Sequence, residues 1–112
     1  QGDISEILVW SDMIYNKLVR DRIPEILKQK GLSPVFHKAD EKEYWEKLKE
    51  KLNEEVGEFL HTEEKEELAD ILEVLEAIYK FKGLSESEVK ELKKKKFMER
   101  GGFSARTILD KS

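Results

Sequence analysis

Between residues 51 and 60 the chain reads KLNEEVGEFL, and between 66 and 70 it reads EELAD. The first stretch places Glu54, Glu55 and Glu58 close together; the second supplies Glu67 and Asp70. On a helix, residues three apart share a face, so Glu55 goes with Glu58 and Glu67 with Asp70. Glu58 and Glu67 are equidistant from a turn near 62 to 63, and so are Glu55 and Asp70. In an antiparallel helical hairpin each of these pairs lies level, and if the two faces meet, four carboxylates line one small pocket. Bare, such a group would repel itself and force some members to protonate. A divalent cation resolves the conflict, and an all-oxygen set suits Mg²⁺, with Mn²⁺ as a substitute, better than zinc. A site of that kind can bind a polyphosphate and activate a water.

Other readings stand beside this one. With 25 acidic residues in 112, the motif alone also reads as a solvated helix face whose glutamates pair with lysines one turn away. A di-iron site would need a second Glu-x-x-His pair. Glu58 with His61 is one; His37 has Pro34 at that spacing, which argues against iron. His61 then reads as a helix-end residue and His37 as a connector residue. Gly57 costs a helix about 1 kcal/mol relative to alanine. Its position beside the cluster suggests room for a ligand or a neighbouring helix to come close.

The elements that must position these residues are legible from periodicity. Pro24 near a helix start and Gly31 after its end frame a short helix over about 23 to 30, burying Ile23, Ile26 and Leu27. LSPVFHKA reads as an extended connector. Asp40 with Glu43 forms a capping pattern opening a long helix over about 41 to 60, with Tyr44, Leu48, Leu52, Val56, Phe59 and Leu60 at helical spacing. Thr62 is the expected N-cap of a second long helix, about 63 to 82, with an apolar stripe of Leu68, Ile71, Leu72, Leu75, Ile78 and Tyr79. Ser85 with Glu88 opens a last helix to about 99, with Val89, Leu92 and Phe97 inside; RGGF ends it, before an irregular tail. The fold class is all-α: an antiparallel pair of long helices with two shorter ones, completed by dimerisation through the long pair. Trp45, Phe59 and Tyr79 exceed what four helices of this size easily bury.

Length bounds the chain to one domain with a modest core. Residues 1–13 form an extension of uncertain role, and 14–112 a single domain. The net charge of −4 gives no reason to expect polymeric nucleic acid as a partner. No stretch is long and apolar enough for a transmembrane helix, and the acidic start lacks the layout of a signal peptide. The absence of cysteine excludes thiolate metal sites and cysteine nucleophiles, and fits a cytoplasmic setting.

EEVGE followed by ELAD resembles the E-E-x-x-E … E-x-x-D signature of the MazG-like, all-α nucleoside triphosphate pyrophosphohydrolase superfamily. YNKLVRDRIPEIL at 15–27 and KKKFMERGGF at 94–103 resemble its phosphoribosyl-ATP pyrophosphohydrolase-like branch, so the likeness covers about 14–109. The resemblance implies a carboxylate helical bundle assembled as a homodimer or dimer of dimers. It also implies Mg²⁺-dependent hydrolysis of a nucleoside triphosphate, or a related phosphoribosyl nucleotide, to monophosphate and pyrophosphate. Carried onto this chain, Glu55, Glu58, Glu67 and Asp70 would hold metal, and Glu54 would be a further ligand or would orient and deprotonate the attacking water, with Glu54 and Glu55 as the catalytic pair. Lys17, Arg20, Lys95 and Arg100 would meet phosphates, with Arg22 and Lys96 as neighbours of the same type. Trp45, Phe36 or Phe103 would be the aromatic for a base. The gap between Glu58 and Glu67 is shorter than in many members, which bears on the assignment of individual ligands. The alternative is a non-catalytic oligomeric helical module that binds a nucleotide or a metal.

Overall fold

The structure is a computed structural model that describes residues 16–112. The expected extension, residues 1–13, lies outside the described residues. Within these, four α-helices and no strand are present: α1 (Ile23–Gln29), α2 (Glu41–Thr62), α3 (Lys65–Phe81) and α4 (Glu86–Arg100). The chain divides into two compact units, one through Ile78 and one from Tyr79 to Ser112.

In the first unit, α1 starts with Pro24 in its opening turn, where a missing N–H costs nothing. It stops at Lys30–Gly31; Gly31 has φ 84°, and Leu32 N–H donates to Leu27 O at 3.0 Å, a left-handed glycine stop. The connector up to Asp40 is irregular, as its proline and β-branched residues imply. Asp40 Oδ1 accepts from Glu43 N–H at 2.9 Å and caps α2. The Glu43 carboxylate is engaged by His37 Nε2 at 2.9 Å, so His37 ties the connector to the first turn of α2.

The turn between the long helices differs from expectation. Thr62 is the last residue of α2 and not the cap of α3. Its Oγ1 accepts from Glu64 N–H at 3.2 Å, and Glu63 takes a left-handed φ of 57° while its N–H donates to Phe59 O at 2.7 Å. The hairpin thus closes over Glu63 and Glu64, with α3 starting at Lys65.

The inward faces keep most of the expected stripes and add charged residues to them. On α2 the buried residues are Leu48, Lys51 and Glu55. These follow one another at three and four residues and so share one helical face. On α3 the buried residue is Val74, while Leu68 and Leu72 are 46% and 58% exposed. Val74 continues the face of Glu67 and Asp70 one turn on. Of the expected stripe, Ile71, Leu75, Ile78 and Tyr79 are half-buried, as are Glu67 and Asp70, while Leu68 and Leu72 are exposed.

In the second unit, Ser85 and Glu88 make a reciprocal capping box at the start of α4. Gly101, at φ 79°, ends the helix with its N–H on Phe97 O. Val89 is half-buried, but Leu92 and Phe97, expected inside, are exposed. Lysines fill positions 93 to 96, so α4 has too few apolar residues to form a covered face.

Candidate metal centre

Lys17 and Arg20 sit on the irregular strand of chain that precedes α1, and both turn towards the long helices. Lys17 Nζ donates to Glu54 Oε2 at 2.7 Å. Arg20 Nη2 donates to Asp70 Oδ1 at 2.8 Å, and its other terminal nitrogen lies 3.9 Å from Glu73. Arg22 pairs locally with Glu25 at 3.4 Å. Arg20 instead reaches across to α3.

Carboxylate oxygens of Glu55, Glu67 and Asp70 lie within 4.8 Å of one another. They come from two helices: Glu55 from α2, and Glu67 and Asp70 from the first turns of α3. The short hairpin brings Glu55 level with Asp70, as spacing about the turn requires. Glu58, on the turn below Glu55, is half-buried and does not belong to this group of three. It joins only with a movement of its side chain.

Lys51 was not singled out in the sequence. Its ammonium lies 3.3 Å from Glu54 Oε1 and 3.2 Å from Glu55 Oε2, and its side chain is 8% exposed. Glu55 itself is 1% exposed. A lysine is rarely buried unless paired, and this one pairs twice within a single helical turn. Its sequence signal is position: residue 51 falls between Leu48 and Glu55 on one face, where the helical pattern calls for an apolar side chain.

Burial alone would raise the pKa of Glu54, but the hydrogen bond from Lys17 and the charges of Lys51 and Lys17 outweigh it, so the carboxyl sits below its ordinary value. Burial likewise opposes ionisation of Asp70; its pKa is nonetheless lowered, with the hydrogen bond and charge of Arg20 among the causes. Both groups are therefore held as carboxylates.

Glu67 Oε2 is buried and has no hydrogen-bond partner among the described residues. An ionised oxygen shielded from water without a partner is costly, and a cation shared with Glu55 and Asp70 would satisfy it. Ligands of an octahedral Mg²⁺, each at about 2.1 Å, stand from about 3.0 Å apart when adjacent to about 4.2 Å when opposite, so the three oxygens would draw together on one ion. The donor set is all oxygen, so the residues fit a hard divalent cation.

Glu55 and Asp70 also border a cavity of about 430 Å³. Its lining mixes the cations Arg20, Arg22 and Lys51 with the carboxylates of Asp21, Glu55, Asp70 and Glu73, and includes the less polar Leu18, Ile23, Tyr44, Leu48 and Val74. The size suits a small organic ligand. Of the aromatics named for a base, Trp45 lies under Lys49 Nζ at 5.3 Å and Phe36 under Lys28 Nζ at 5.6 Å. Neither lines the cavity, whereas Tyr44 does. Phe103 is exposed in the second unit, as are Lys95, Lys96 and Arg100. A Cβ at Gly57 would meet nothing within 4 Å, so the expected close approach is not made by this chain.

No family model matches the chain, and no solved structure matches it. A protein of Mycolicibacterium smegmatis, described as uncharacterized, is 50% identical over 42 residues, which is 38% of this chain and 43% of that protein. The chain thus matches less than half the length of that relative. No helix among the described residues is long and apolar enough to cross a membrane.

Proposed function

We propose that this protein is a Mg²⁺-dependent nucleotide pyrophosphohydrolase, acting on a nucleoside triphosphate or a phosphoribosyl nucleotide in a cytoplasmic housekeeping role. The observation that carries the reading is the convergence of Glu55, Glu67 and Asp70 beside a cavity whose lining combines charged and apolar side chains. Those three residues would hold the metal, with Glu58 added by a side-chain movement. Bound there, Mg²⁺ would polarise phosphoryl oxygens and offset the charge that develops on them. The less polar part of the lining, with Tyr44, suits the organic part of the substrate.

Lys17 and Arg20 are the cations assigned to phosphate. Lys17 also bears on Glu54. A carboxylate held by two ammonium groups is a weak base. Transfer of Lys17 from Glu54 to an arriving phosphate would raise the basicity of Glu54 as substrate binds. Glu54 could then orient the attacking water and take its proton. Attack on the α-phosphorus would release pyrophosphate and leave the monophosphate.

The ion pairs favour a second reading. Lys17, Lys51 and Arg20 already offset much of the negative charge, as in a helical module that binds a nucleotide without turnover. Pyrophosphate release from a panel of common and modified nucleoside triphosphates, with Mg²⁺ or Mn²⁺, separates the two. We expect release, and its loss in Glu55→Gln and Asp70→Asn with helical content kept. Nucleotide binding without release from any substrate supports the module.

A further inference from the structure

We propose that Lys51 limits this centre to one divalent cation, its ammonium taking the place between Glu54 and Glu55 that a second ion would need. The inference rests on the metal reading above and concerns how many ions the carboxylates accept. With Glu58 counted, Glu54, Glu55, Glu58, Glu67 and Asp70 bring five formal negative charges, and Lys17, Arg20 and Lys51 three positive ones. Two negative charges are left over, so one divalent ion neutralises the cluster. A second would turn it net positive by two.

The cations are not equivalent. Arg20 is about half exposed at its side chain and Lys17 about a quarter, so both can swing towards a ligand. Lys51 is shut in: its side chain is 8% exposed, and it is held at 3.3 and 3.2 Å by two carboxylates of its own helix. Carboxylates that bridge a pair of divalent ions would otherwise be free to share a second one. With Lys51 between them, Glu54 is kept to lysine contacts, and Glu55 keeps one oxygen beside the ammonium. Lys51 is thus a positioning residue: it sets the ion count and aims Glu55 towards Glu67 and Asp70.

The test counts ions directly. The metal-free full-length protein is titrated with Mn²⁺, and bound ion per chain is read by equilibrium dialysis and electron paramagnetic resonance. We expect one Mn²⁺ per chain in the wild type and in Lys51→Arg, which keeps the charge, and two in Lys51→Met. Circular dichroism checks that each variant keeps its helices. Should Lys51→Met not fold, Lys51→Gln is used for the same count. Two ions in the wild type, or one in the folded neutral variants, overturn the inference and leave the metal centre standing. No Mn²⁺ on the wild type removes both.

Discussion

Glu54 shows how one residue can carry a structural and a chemical role. Its pKa is lowered from an ordinary 4.5 because Lys17 and Lys51 favour the charged form more than burial disfavours it. The unfolded chain then binds the proton more readily than the folded one, so the contribution to stability is present above the ordinary value and is lost as pH falls through the folded value. Lys17→Met removes one of the two lysines. We expect it to lower the urea midpoint near neutral pH, and the gap from the wild type to close as pH falls through the lowered folded value and the Glu54 carboxyl is protonated in both states. A gap that stays constant with pH would show that Lys17 acts by packing and not by its charge on Glu54. Glu54 is about a third exposed, so the effect is modest and sensitive to salt.

Among the elements, α2 shows most clearly what the sequence can and cannot say. Asp40, Glu43 and the apolar spacing mark its start and length, and the helix runs from Glu41 to Thr62. Its orientation was harder to read, because Lys51 and Glu55 share the inward face with Leu48. Removing Lys51 would take from the buried Glu55 the ammonium 3.2 Å away, a greater loss than breaking a surface pair. Gly57 lies on this helix with open space around its Cα. Gly57→Ala should therefore stabilise the protein by about 1 kcal/mol through helix propensity, read by chemical denaturation. A loss of stability instead would mean that a second copy packs against that glycine in solution.

For the whole molecule, the shortage of core decides what to expect. Among the described residues the buried apolar side chains are Leu48 and Val74, whereas Leu60, Leu68 and Leu72 are exposed along the hairpin of α2 and α3. An apolar strip of this kind on two long helices fits association with another copy. We expect sedimentation velocity to give a dimer or a dimer of dimers at micromolar concentration. The double variant Leu68→Glu, Leu72→Glu should shift it to monomer, with a lower melting temperature. A wild-type monomer at all concentrations would refute the assembly.

The sequence by itself determined the helices. Caps at Asp40 and Ser85, the stops at Gly31 and Gly101, and the periodicity between them act within one or two turns of chain, and local signals of that range are written in order. It also determined that Glu55 and Asp70 lie level, since a short turn leaves two helices little freedom in register. What only the tertiary structure decided is which charged residues turn inward, and with what partners. Arg20 meets Asp70 across 50 positions and Lys17 meets Glu54 across 37. Neither pairing has a local signature, because a salt bridge between distant segments depends on where the chain brings them. The burial of Lys51 has the same origin: its place on the helix was readable, but its cost is met only once two glutamates close around it.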